Sequence, residues 1–308
     1  MTNRLKLSIF LVALLSLLAF IGCAQSPNAD NGYANERVLI LAEELQAVAG
    51  QVKIIDVRSA KDYAAGHIPG AIHIERKAFE NPDAPVDGTI ATPEQMNRLL
   101  SATGISNNDK IVVYAGVKAS PQMATRFWWV MDIYGHKGVR VLDGGIESWT
   151  ALDDARLESG KGKPLPKTDY HVKSMDLTQL AFKEDVLNHA PDVVLLDVRA
   201  LEEYDGSTVS AGAGRGGRIP GAVHLFFKEN LDDKGFYKSA VELKKMYAAK
   251  GITADTEVIV YCMRAHRASH TMLALRELLG YKKVRGYNGA WMEWSNIPSL
   301  PIVKGNDK

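Results

Sequence analysis

Short runs of aliphatic and β-branched residues, without the polar alternation of a one-faced sheet, recur at 53–56, 110–114 and 139–142, and again at 193–197 and 257–261. Such runs read as strands buried on both faces, the pattern of a parallel sheet covered by helices. Helical patterns lie between them. Thr92, Pro93 and Gln95 combine an N-cap, a proline at the first helical position and a capping-box partner, which predicts a helix running to about Ala102. Further helices are predicted over 239–249 and 268–279. Strand and helix in alternation place the chain in the α/β class.

The pattern occurs twice. "IIDVR" (54–58) matches "LLDVR" (195–199), "IPGAIH" (68–73) matches "IPGAVH" (219–224), "IVVY" (111–114) matches "VIVY" (258–261), and "VRVLDGGIESW" (139–149) matches "VRGYNGAWMEW" (284–294). Four matches in one order identify an internal duplication. Between its first two motifs the second copy is ten residues longer, and the stretch where that extra length falls, "GSTVSAGAGRGG" (206–217), is rich in glycine and serine and predicts a surface loop. "ESGKGKPLPK" (158–167) has the composition of an exposed linker between the copies. The division expected is a domain at 36–155, a linker at 156–168 and a second domain at 169–304.

Composition adds that the chain folds: 308 residues with 46% hydrophobic and 24% charged suit two domains with cores of their own. The start differs. Arg4 and Lys6 precede an apolar stretch, Leu7 to Gly22, that is shorter than the ~20 residues of a membrane span plus its flanks. Residues 1–22 therefore read as a signal peptide. Its end, Phe20-Ile21-Gly22-Cys23, resembles a bacterial lipobox, which implies cleavage before Cys23, lipid on that cysteine and an exposed linker over 23–35. An uncleaved N-terminal anchor is the alternative. Ala24 after the cysteine implies passage to the outer membrane, so the expected location is exported and lipid-anchored, on its periplasmic face. The chain has 37 basic and 36 acidic residues, and loss of Arg4 and Lys6 leaves an acidic excess of one. Nucleic acid, which calls for a basic excess, is excluded as a partner.

With Cys23 lipidated, Cys262 has no partner for a disulfide, since the chain has 2 cysteines. Cys262 opens a six-residue segment, "CMRAHR", at the carboxyl end of a predicted strand, where ligands bind in parallel α/β sheets. A tight loop leading into a helix turns backbone N–H groups inward as an anion cradle. The same field is expected to lower the pKa of Cys262 from the ~8.5 of a free thiol, with Arg264, His266 and Arg267 close by in sequence. A free cysteine in a strand is commonly a small core hydrophobe; three cations within five positions argue instead for an anion.

Together, "DVRSAKDYAAGHIPGAIH", "VRVLDGGIESW", "DVRALEEY", "GGRIPGAVH", "VIVYCMRAHRASH" and "GYNGAWMEW" resemble the rhodanese superfamily of sulfurtransferases in its tandem form, over nearly the whole mature chain. The resemblance implies two rhodanese-like domains, each a mostly parallel sheet flanked by helices on both faces, and no cofactor or metal. It makes Cys262 the catalytic nucleophile and assigns Met263, Arg264, Ala265, His266 and Arg267 to substrate binding, with Arg267 the arginine that closes such loops. Related phosphatases place that arginine one residue later, where this chain has Ala268, which argues against phosphate chemistry. Ala265 stands where many members have glycine, and Arg218 where the motif has histidine.

The first copy has Ala115 where the second has Cys262, and is expected to be a catalytically silent support. Asp56, Arg58, Asp197 and Arg199 occur in both copies, active and silent, and so read as scaffold, as do Glu203 and Tyr204; Trp149 and Trp294 read as core anchors. The expected chemistry moves a sulfane sulfur from thiosulfate or a similar donor, through a Cys262 persulfide, to an external thiol or cyanide. Mercaptopyruvate and selenium or tellurium oxyanions remain alternative substrates. An oxyanion- or partner-binding lipoprotein and a thiol-based oxyanion reductase are the rival functions.

Overall fold

A computed structural model describes residues 31–305, so the signal peptide and Cys23 assigned above lie outside the described residues. In the first unit the strands are β1 (Leu39–Ile40), β2 (Lys53–Asp56), β3 (Ile72–His73), β4 (Ile111–Tyr114) and β5 (Val139–Leu142). In the second they are β6 (Leu180–Ala181), β7 (Val194–Asp197), β8 (Val223–His224), β9 (Val258–Tyr261) and β10 (Val284–Tyr287). Each unit is one five-stranded sheet, ordered β1-β5-β4-β2-β3 and β6-β10-β9-β7-β8, so the second repeats the winding of the first. Every strand pair is parallel.

Helices α1 (Ala42–Val48), α2 (Ala60–Ala65), α3 (Pro93–Ala102), α4 (Gln122–Ile133) and α5 (Gly145–Thr150) cover the first sheet. Helices α6 (Lys183–Leu187), α7 (Leu201–Tyr204), α8 (Ala240–Ala248), α9 (His266–Met272) and α10 (Ala290–Trp294) cover the second. Each unit is thus an α/β domain with a parallel sheet between helices. At the start of α3 the Gln95 amide donates to Thr92 Oγ1 at 3.3 Å and the Thr92 amide to Gln95 Oε1 at 2.8 Å, a reciprocal cap. The two-residue edge strands were not predicted, because so short a run carries no periodicity to read.

Side chains alternate across a strand, and here the alternation divides three cores. On β4, Ile111 and Val113 join one cluster while Val112 and Tyr114 join another. On β9, Val258 and Val260 join the same cluster as Ile111, while Ile259 and Tyr261 join a third. One core is therefore shared between the units. Continuing the count past Tyr261 puts Cys262 on the shared face and Met263 on the far one, which is where both lie.

The shared core is where α4 packs on α9, across the boundary between units. Nine of the 12 residues of α4 are buried, because the helix lies between its own sheet and the other unit. A buried hydrogen bond joins the helices, Thr125 Oγ1 to Ser269 Oγ at 3.1 Å.

Both copies build the same ion pair at a strand end. Arg58 Nη2 lies 2.6 Å from Asp56 Oδ2 and donates to the Gly66 carbonyl; Arg199 Nη2 lies 2.6 Å from Asp197 Oδ2 and donates to the Gly217 carbonyl. The segment 158–167 is exposed, yet its backbone is tied to the first unit through His67–Glu158 bonds of 2.8 and 2.9 Å and a Gly160–Ala64 bond of 2.8 Å. Trp149 and Trp294 are both buried, with indole N–H groups donating to the carbonyls of Arg156 and Pro301.

Candidate active site

The chain leaves β9 at Tyr261 and enters α9 at His266, two residues before the start predicted from sequence. His266 and Arg267, predicted as loop, form the first turn of the helix. The reason is Ala265, whose φ of 59° turns the backbone sharply enough for the helix to begin at once. That left-handed conformation favours glycine, and an L-residue with a Cβ pays about 1–2 kcal/mol to adopt it. Among the described residues the other non-glycine residue with positive φ is Ala290, at 53°. It too abuts the loop, since the next residue, Trp291, donates its amide to the Cys262 carbonyl at 2.9 Å. Strain is concentrated on both sides of Cys262. Ala265→Gly is expected to raise unfolding free energy by about 1 kcal/mol in urea titrations, the relief of strain outweighing the entropy of glycine.

Cys262 is 1% exposed and lies at the shared core. Arg264, His266 and Arg267, which sequence singles out as cations, each already meet an acceptor. Arg267 holds Glu203 through two bonds, one of them Nη2 to Oε1 at 2.9 Å. Its partner Glu203 is pulled down to about 2, the bonds and charge of Arg267 outweighing burial. Ser210, in the ten-residue insertion, donates to the same carboxylate at 2.6 Å. Arg264 at the rim donates to Asp87 at 2.6 Å and to the Ala211 carbonyl at 2.9 Å. His266 Nε2 lies 2.6 Å from Glu80 Oε1. Burial pushes His266 down to about 4, so at neutral pH it is an uncharged donor to Glu80. The insertion predicted as a surface loop thus supports the site at Ser210 and Ala211.

Glu80 and Asp87 come from the first unit, on a strap between residues 80 and 91 that is remote from Cys262 in sequence. Arg76 also grips Glu80, with both oxygens at 2.7 Å from Nη1. Met263 turns into the core on the opposite sheet face, and Ala265 is buried on the Cys262 face.

Duplication supplies a direct comparison. In the first unit the loop after β4 runs Ala115 to Ser120, and the amides of Val117 and Lys118 donate to the Glu147 carboxylate at 2.9 and 3.1 Å. The first cradle is filled by a carboxylate of its own unit. The aligned amides in the second unit are those of Arg264 and Ala265, for which no acceptor is found among the described residues. Met292 stands in place of Glu147 there. The backbone shape binds an anion in one copy; in the other the equivalent amides follow a thiol and lack an acceptor among the described residues.

A family model described as a rhodanese-like domain matches residues 41–152 and 183–297. The chain belongs to the rhodanese-like family. Among its relatives is the sulfur carrier protein TtuD of Thermus thermophilus, 34% identical over 291 residues, 90% of this chain and 100% of that one. Another is the Mycobacterium bovis protein named "Putative thiosulfate sulfurtransferase SseA", 36% identical over 288 residues, covering 90% and 94%. Family and relatives make this rhodanese a sulfurtransferase with two tandem domains. A solved structure of the anaerobic ergothioneine biosynthesis enzyme from Chlorobium limicola has a TM-score of 0.79 at 24% identity, over 89% of this rhodanese and 72% of that chain, a likeness of fold.

Proposed function

We propose that the second unit alone carries the sulfur, on Cys262, and that thiosulfate is its donor. The observation carrying this is the pair of cradles: one holds a carboxylate against Val117 and Lys118, and the other presents Cys262 with the equivalent amides free to receive an anion. The thiolate attacks the outer sulfur of thiosulfate, the S–S bond of the donor breaks, and sulfite leaves with the bonding pair. An external thiol or cyanide then attacks the outer sulfur of the persulfide and restores the thiolate. Loop amides and the Arg267 guanidinium offset the negative charge as it moves. The acceptor is external because Cys262 is the single cysteine among the described residues. A donor anion entering past the rim competes with Asp87 for Arg264, which favours thiosulfate, a dianion, over the monoanion mercaptopyruvate.

Intact mass after incubation with thiosulfate tests this, followed by a thiocyanate assay on adding cyanide. A gain of one sulfur that cyanide removes supports the reading. Binding of thiosulfate with neither gain nor thiocyanate would make the protein an oxyanion-binding module, and turnover of an oxyanion with a reductant but no persulfide would make it a reductase.

The lipobox-like Phe20-Ile21-Gly22-Cys23 supports an exported protein anchored by lipid on Cys23, and Ala24 supports the outer membrane. No helix among the described residues is long and apolar enough to cross a membrane. Labelled palmitate should enter the full chain and not its Cys23→Ser variant; equal labelling would rule the anchor out.

A further inference from the structure

Arg126 lies mid-way along α4 and is 0% exposed. Its Nη2 donates to the Gly88 carbonyl at 2.7 Å, and its guanidinium carbon stands 5.0 Å from the centre of the Trp129 ring. Neither Nε nor Nη1 has a hydrogen-bond partner among the described residues. Desolvation lowers its pKa to about 10, which still leaves it a cation at neutral pH, and the negative groups that sustain it are Glu80 and then Cys262.

A buried guanidinium with two nitrogens unpaired is costly, and native interiors seldom carry one without a use. Charge around the thiol shows what the use is. Arg76, Arg126 and Arg267 face two carboxylates, Glu80 and Glu203, and His266 is neutral. Arg264 and Asp87 cancel at the rim. One positive charge is left over beside a thiol, and a thiolate or a persulfide anion on Cys262 closes the balance. Arg126 and Arg267 both respond to charge on Cys262, from opposite units.

We propose that Arg126, reaching across the domain interface, stabilises the anionic sulfur on Cys262, so that the catalytically silent unit supplies part of the active site. The proposal rests on Cys262 being the sulfur carrier, but its first readout does not need turnover. The test compares Arg126→Met and Arg126→Lys with the parent chain by rate of thiol alkylation against pH, thiocyanate kinetics and urea unfolding. In the methionine variant the pH of half-maximal alkylation should rise by about one unit, as when a nearby opposite charge is removed. Its kcat/KM should fall about 100-fold, the usual effect of removing one preorganised charge-stabilising donor. Stability should hold or rise, since an apolar side chain replaces an unpaired buried charge. Lysine, which keeps the charge, should restore part of both kinetic changes. An arginine that merely ties down the strap through Gly88 gives a different result: alkylation accelerates at every pH with its midpoint unmoved. That midpoint, unmoved in Arg126→Met, overturns the proposal whatever happens to turnover. If Cys262 proves not to carry sulfur, the alkylation midpoint still reports on Arg126 while thiocyanate is absent from the parent as well, so the two failures are distinguishable.

Discussion

Cys262→Ser and Cys262→Ala chains are expected to form thiocyanate from thiosulfate and cyanide only at the uncatalysed background, a loss on the order of 10⁶-fold or more. Serine is close in shape but holds its proton far above neutral pH, and an oxygen cannot carry the sulfane sulfur as a persulfide. Alanine is the stronger control because the protein already contains the answer. Ala115 occupies the equivalent place in the first unit, and its carbonyl accepts from Ile146 at 2.9 Å as that of Cys262 accepts from Trp291 at 2.9 Å. The backbone of this loop therefore tolerates alanine. Cys262→Ala should retain a two-state unfolding profile, with a cost within the range for shrinking a buried side chain, about 1–3 kcal/mol. Thiocyanate formation and intact mass after thiosulfate are the measurements. Product from Cys262→Ala at even a tenth of the parent rate would move the chemistry elsewhere.

The repeat made the fold legible. Strand runs at 53–56, 110–114 and 139–142 and their counterparts appear as β2, β4, β5, β7 and β9, because strands buried on both faces must be apolar throughout. Even the direction in which Cys262 points follows from counting alternate residues past Tyr261. What sequence did not show is how the cations are used. Arg264, His266 and Arg267 read as three charges awaiting a substrate, yet Asp87, Glu80 and Glu203 hold them. Two of those carboxylates lie on the other unit, and nothing local brings residue 80 to residue 266; the packing of α4 on α9 does. The place of Arg126 is hidden in the sequence for the same reason. A signal was present, however: "QMATRFWWVMDI" is a helix too apolar to be a surface helix, with an arginine in its middle. A charge in a helix that must be buried needs a partner, and that need is visible before any contact is known.

Filling of the first cradle by Glu147 also sets the two loops apart. Ala115 in place of Cys262 is one difference between the units; the carboxylate seated on Val117 and Lys118 is another, and it occupies those two amides. Restoring a cysteine at Ala115 would not by itself recreate the second site, because charge, Met292 in place of Glu147 and the strap over the loop differ as well.

Asp197→Ala is expected to lower unfolding free energy by about 3–5 kcal/mol, a large share of the roughly 5–15 kcal/mol that holds a typical protein folded. Asp197 is fully buried at the end of β7, in register with Tyr261, the residue before Cys262. Its oxygens take Arg199 Nε at 3.0 and 3.1 Å and Nη2 at 2.6 Å, and the guanidinium lies 4.5 Å from the Trp291 ring centre. Removing the carboxylate leaves Arg199 charged, out of water and with the Gly217 carbonyl as its remaining strong acceptor. Asp56→Ala is expected to cost less, because Arg58 is partly exposed and water can take over. Double substitution discriminates an ion pair from simple packing. Asp197→Ala with Arg199→Met removes both charges and leaves an apolar chain against Trp291, so most of the lost stability should return. Urea midpoints with unchanged slope give the comparison. If the single variant lost under about 1 kcal/mol, or the double were no better than the single, the pair would not be what pins the strand end beneath the cysteine loop.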